Sequence, residues 1–116
     1  MRGGFPVLID FNDMTEQTIP GMNNGSGYMS VKMFRNEKGK IIPCRLHPGC
    51  SIGKHKQSTS DDINYVISGE GIAVCDGVEE KLTAGCCHIC PKGSEHSIIN
   101  VGKEDLVLLT VVVEQN

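Results

Sequence analysis

From Tyr28 onward, apolar and β-branched residues come in short runs, broken by turn-forming residues at intervals of about ten positions. The breaks are Asn36-Glu-Lys-Gly39, Pro48-Gly49, Ser68-Gly-Glu-Gly71, Asp76-Gly77, Ala84-Gly85, Pro91-Lys-Gly93 and Val101-Gly-Lys103. Short strands at that spacing predict an all-β sandwich or closed barrel. The longest apolar run, Leu106 to Val113, has the length and β-branched composition of a strand and falls well short of the ~20 residues of a membrane span. Asp76-Gly77 lies between Ile72–Cys75 and Val78–Leu82 and predicts a tight type I′ hairpin, because both residues tolerate positive φ. No long segment carries the 3.6-residue period of an amphipathic helix. Before Tyr28 the chain is Gly- and Asn-rich. Gly21 to Gly27 reads as a loop, and a short strand is expected around Phe5–Phe11. The pattern divides the chain into an N-terminal arm and loop, residues 1–27, and a single β-barrel domain, residues 28–116.

Composition narrows the class. A chain of 116 residues suits one domain. The net charge of −3, the absence of a basic stripe and the scarcity of aromatics (no Trp, two Tyr, three Phe) argue against nucleic-acid binding. The start, Met1-Arg-Gly-Gly, lacks the apolar stretch of a signal peptide, so a cytoplasmic location is expected and membrane association is not. The six cysteines are then expected to be reduced thiols. Cys87-His-Ile-Cys90 has C-x-x-C spacing, but no second pair completes a zinc ribbon, and Pro91 and Gly93 end the segment where a redox motif would open a helix. It reads as small apolar strand residues.

Candidate chemistry gathers on two of the four histidines, His55 and His96, while His47 and His88 are expected at the surface, with the alternative for His88 that its face, shared with Cys86 and Cys90, turns inward and brings it to the pocket. His55 and Gln57 share a strand face by the period of two. Asp62 opens the strand Ile63–Ser68, and His96 follows the turn at Pro91–Gly93. A small barrel can bring such separated strands together around its interior. Two imidazoles and a carboxylate make a facial set for a divalent metal with positions left open for a substrate or dioxygen. Asp61 competes with Asp62 as ligand, and alternation puts the two on opposite faces. Asn64 and Val66 share the face of Asp62 and are expected to line the barrel.

The spacings of these residues resemble the two linked motifs of the cupins, G-x5-H-x-H-x3–4-E-x6-G and G-x5-P-x-G-x2-H-x3-N. The first falls on Gly49, His55, Gln57, Asp62 and Gly69, and the second on Gly85, Pro91, Gly93, His96 and Asn100. The resemblance implies a jelly-roll, or double-stranded β-helix, barrel. It implies a metal site at His55, Gln57, Asp62 and His96, with Gln and Asp standing where the family has His and Glu. Gln ligates only through its neutral amide oxygen, and Asp reaches less far than Glu. A set of two nitrogens and two oxygens favours manganese or iron(II), with zinc also compatible. Family chemistry includes oxygenation, decarboxylation and isomerisation. The alternatives are a non-catalytic module for a sugar or organic acid and a cupin that has lost its metal, in which Gln57 would hydrogen-bond His55. The resemblance also implies a homodimer, formed by sheet augmentation or exchange of the N-terminal strand. Asn100 is expected to tie a turn rather than to act chemically.

Overall fold

The computed structural model describes residues 8–20 and 25–115. Among the described residues, eleven strands follow one short 3-10 turn, Phe11–Asp13. They are β1 (Gln17–Pro20), β2 (Tyr28–Val31), β3 (Phe34–Asn36), β4 (Gly39–Leu46), β5 (Ser51–Lys56) and β6 (Ser60–Ser68), then β7 (Glu70–Cys75), β8 (Val78–Thr83), β9 (Cys87–Cys90), β10 (Glu95–Asn100) and β11 (Leu106–Glu114). They form two antiparallel sheets. The larger runs β1-β2-β4-β11-β6-β9, with β3 beside β4, and the smaller runs β5-β10-β7-β8. Every ladder joins antiparallel strands. This is the two-sheet all-β architecture that the turn spacing predicts, in the jelly-roll form that the resemblance implies. Among the described residues no helix is long and apolar enough to cross a membrane.

The core lies between the sheets. Val66, Leu106, Leu108 and Ala73 are fully buried, with Leu46, Val31 and Ile98 packed beside them. Alternation places them there. On β6 the even residues 60, 62, 64 and 66 are buried, and Tyr65 and Ile67 stand outside. Asn64 and Val66 therefore line the interior, as expected. The turn at Asp76-Gly77 has φ of 48° and 80°, and Cys75 pairs with Val78 across it. That is the predicted two-residue hairpin. Gly69 joins β6 to β7 with φ of 93°, and a Cβ there would lie 2.4 Å from the Asp105 carbonyl oxygen. Only glycine meets both demands.

The N-terminal strand lies elsewhere than expected. Residues 8–10 are not in a strand, Phe11–Asp13 form the 3-10 turn capped by the Asp10 side chain, and the strand is Gln17–Pro20. The rest of the expected segment, residues 5–7, lies outside the described residues. The apolar residues near Phe11 suggested a strand, but Asp10, Asn12 and Asp13 favour local side-chain capping over a ladder. Thr18 and Ile19 instead pair with Ser30 and Met29, so β1 covers the edge of its own sheet. Of the loop expected at 21–27, residues 25–27 are described and form no strand, and residues 21–24 lie outside.

Candidate functional site

His55 and His96 face each other directly across the β5–β10 ladder. Their rings meet edge to face, with centroids 4.6 Å apart. One step in this ladder is irregular. Ile98 pairs with Ile52, yet His96, two residues earlier, pairs with His55, three residues later. β5 therefore carries an extra residue. The bulge lets Ile52 and His55 both face the interior despite their odd spacing. It also frees the carbonyl of Gly53, which accepts from His55 Nδ1 at 2.9 Å.

Asp62 arrives from the opposite sheet. It pairs with Val112 on β11 and Cys90 on β9, and its side chain crosses to the histidines. His96 Nε2 lies 3.0 Å from Asp62 Oδ2 and 3.1 Å from His55 Nε2. The three donor atoms lie within 4.8 Å of one another. Donors about 2.1 Å from a common ion and at right angles around it stand about 3.0 Å apart. Two ring nitrogens and a carboxylate oxygen at these separations repel unless a cation or shared hydrogens lie between them. Asp62 Oδ1 is buried without a hydrogen-bond partner. The donor set, its spacing and this orphaned oxygen fit a divalent ion.

Gln57 is buried just beyond the end of β5 and held by backbone bonds to Ser94 and Gly93. Its amide nitrogen stands among the three donors, 2.9 Å from His55 Nε2, 3.2 Å from His96 Nε2 and 3.3 Å from Asp62 Oδ2. Its carbonyl oxygen, the only atom able to ligate, accepts from Ser60 Oγ at 3.3 Å. All four expected residues thus meet at one point, with Gln57 presenting an NH2 there.

Asp61 turns away from this point. Its two oxygens accept from the Lys92 backbone N–H at 2.8 Å and from Gln115 Nε2 at 2.6 Å. Asn100 ties strand ends together through Leu46 O, Glu104 O and the Gly102 N–H. His47 is half-buried at the end of β4, where it meets Ser30 Oγ and Asp105 Oδ1, each at 3.0 Å.

His88 corrects the sequence reading. Expected at the surface, it is 2% exposed and lies on the inner face of β9, opposite Asn64 on β6. Its Nε2 is 2.9 Å from His96 Nδ1, and its Nδ1 is 2.7 Å from Glu80 Oε1. The pattern Cys87-His-Ile-Cys90 offers an apolar residue on each face, so alternation alone could not orient the strand. Cys90 is buried and Cys87 exposed, as residues three apart on a strand must be, so the C-x-x-C cysteines do not face one another. All six cysteines are free thiols.

The site opens into a cavity of about 300 Å³ between the sheets. Apolar side chains such as Val31, Ile42, Ile98 and Val112 form much of its wall, joined by Lys40 and Asn64. Asn64 Oδ1 accepts from Thr110 Oγ1 at 2.7 Å, but its Nδ2 is buried without a partner. Neither the sequence spacing nor the motifs marked Lys40, Ser60 or Thr110, which reach the site only through sheet pairing.

The family profile described as cupin domain matches residues 44–112. An oxalate-binding protein of Thermotoga maritima is 29% identical over 119 aligned positions, covering 97% of this chain and 98% of that one. A crystal structure from the same organism, described as a predicted oxalate decarboxylase, superposes with a TM-score of 0.88 at 27% identity over 94% of this chain and all of that one. KdgF from Halomonas sp., at 14% identity over 97% of each chain, has a TM-score of 0.78 and shows the shared fold.

Proposed function

This chain belongs to the cupin family, and on that footing we propose that it binds a small organic acid of the oxalate class on a divalent metal held by His55, Asp62 and His96. The observation that carries the reading is the convergence of His55 Nε2, His96 Nε2 and Asp62 Oδ2 on one point beside a mainly apolar cavity. Asp62 neutralises only one charge of a dication, so the centre attracts an anion. The bound metal, manganese, iron(II) or zinc, would supply Lewis acidity. The chain supplies the rest. Apolar walls thin out water and strengthen each electrostatic contact. Asn64 Nδ2, a buried donor whose isolation costs about 1–3 kcal/mol, gains a partner in a ligand oxygen. Lys40 adds positive charge to the wall. A cavity of about 300 Å³ sits at the small end of ligand sites, which suits a two- to four-carbon acid. The oxalate-binding relative supports the same ligand class.

Equilibrium dialysis of the full chain against Mn(II), with and without oxalate, tests this. One ion per chain is expected, with loss of binding in His55→Ala and His96→Ala and oxalate uptake only in the presence of metal. Oxalate uptake that chelator treatment leaves unchanged would overturn it. The catalytic form of the reading adds that hydrogen oxalate is converted to formate and carbon dioxide in equal amounts, which product analysis of the same samples measures.

A second reading has one observation in its favour. The Gln57 NH2 occupies the point where the lone pairs meet and bonds to His55, as a metal-free binding module would have it. In that case Gln57→Ala abolishes ligand binding, whereas in the metal reading it leaves Mn(II) binding in place.

The assembly belongs to the same proposal. β1 pairs with β2 at the edge of the larger sheet. The outer face of the larger sheet presents Tyr65, Ile67 and Ile89, 45%, 52% and 53% exposed. Tyr65 pairs with Leu109 and Cys87, and Ile63 with Ile89, so these apolar residues are contiguous. A second copy covering this face forms the homodimer.

A further inference from the structure

We propose that Glu80 and His88 form a positioning relay that holds His96 in the tautomer bearing hydrogen on Nδ1, leaving its Nε2 lone pair facing the cavity. The relay rests on the metal reading for its consequence, while its hydrogen-bond logic follows from the geometry with both rings neutral. His88 is not one of the converging donors, yet it is buried in the barrel wall. A buried imidazole is costly unless both nitrogens are paired, and both are. Nδ1 meets Glu80 Oε1 at 2.7 Å, and Nε2 meets His96 Nδ1 at 2.9 Å. The two rings lie only 24° from parallel, with centroids 5.2 Å apart.

The direction of each bond follows from the far end. A carboxylate only accepts, so His88 must carry its hydrogen on Nδ1. The Nε2 of neutral His88 is then an acceptor, and His96 Nδ1 must donate to it. Neutral His96 is left with a bare Nε2, 3.1 Å from His55 Nε2 and 3.0 Å from Asp62 Oδ2, where the Gln57 NH2 at 3.2 Å, or a cation, meets the facing lone pairs. His55 reaches the same tautomer by a separate route, because the Gly53 carbonyl accepting from its Nδ1 can do nothing else. Each histidine thus has one outer partner that only accepts hydrogen, directly or through His88. Carbonyl and carboxylate partners of this kind orient metal-binding imidazoles and raise their basicity. Glu80 sits on β8 of the smaller sheet and His88 on β9 of the larger, so the tether also spans the seam between the sheets.

Long-range 1H–15N correlation spectra of the metal-free, 15N-labelled full chain in weakly basic buffer report which ring nitrogen carries hydrogen. His55 and His96 are both expected as the Nδ1–H form. In Glu80→Ala, whose parent side chain is about half exposed, His88 is free to reverse. The His96 signals should then become those of a tautomer mixture, and the Mn(II) Kd should weaken by about 10- to 100-fold. Glu80→Gln keeps a carbonyl acceptor and should restore the wild-type His96 signals, a rescue that a purely structural role would not produce. His96 found as the Nε2–H form in the wild type, or unchanged in Glu80→Ala, overturns the relay. If the tautomers respond as stated but Mn(II) does not bind the wild type, the metal reading falls and the relay stands. Tight Mn(II) binding with His96 signals indifferent to Glu80 means the reverse.

Discussion

Asp61 and Asp62 are adjacent in sequence and do different work. Asp62 faces the histidines, and Asp61 holds the turn after β9 and the chain end after β11. Asp62→Asn is expected to abolish Mn(II) binding with little change in melting temperature. Asp61→Asn should retain the metal and lose about 1 kcal/mol of stability, readable in denaturant titration. The cysteines separate in a similar way. Burial pushes the Cys44 thiol up to about 11 against the lowering effect of Thr110, while Cys87 is exposed. Iodoacetamide should alkylate Cys87 in the native protein and Cys44 only after unfolding, which peptide mass mapping reads. Because the folded Cys44 resists ionisation longer than the unfolded one, its contribution to stability is intact below the ordinary thiol range of about 8.5. It is lost as pH rises from there through about 11. The choice between Asp61 and Asp62 was legible in the sequence, since strict alternation on β6 has one buried face. His88 was not, because neither face of its short strand is clearly polar.

The bulge in β5 decides more of the site than any single strand. If the same residues ran as a regular strand, His55 would fall on the face opposite Ile52. Deleting Gly53 should leave His55 two residues after Ile52, still on the inner face, but without the carbonyl that orients its Nδ1. Mn(II) binding should then weaken by about 10- to 100-fold while the far-UV circular dichroism stays that of a β protein. The sequence carried no sign of this bulge, and the period of two alone related His55 to Gln57 but not to Ile52. Elsewhere the local chemistry was sufficient. Asp76-Gly77 specified its hairpin, and Gly69 occupies a backbone state closed to other residues. Gly69→Ala should cost more than the roughly 1 kcal/mol typical of a glycine-to-alanine change, because the Asp105 carbonyl must also move. The position of β1 was not legible, since what makes Gln17–Pro20 a strand is the open edge of β2 rather than its own pattern.

At the scale of the molecule, two sheets bring their residues together at one cavity. The smaller sheet provides both histidines and the larger provides Asp62. The two motifs, though distant in sequence, therefore had to converge once the jelly roll formed, and this much the spacing foretold. The outer face of the larger sheet was less visible, because Tyr65, Ile67 and Ile89 read as ordinary strand residues until pairing made them neighbours. Light scattering should find a dimer for the full chain and for the variant lacking residues 1–20, and a monomer for Tyr65→Lys combined with Ile89→Lys. The anchors of the two histidines also differ in how selection can reach them. His55 is held by a main-chain carbonyl that no substitution removes, so its orientation is inherited with the fold. His96 is held through two side chains ending in a half-exposed glutamate. On the proposed metal reading, one surface codon would therefore retune this centre while every residue lining the cavity is kept.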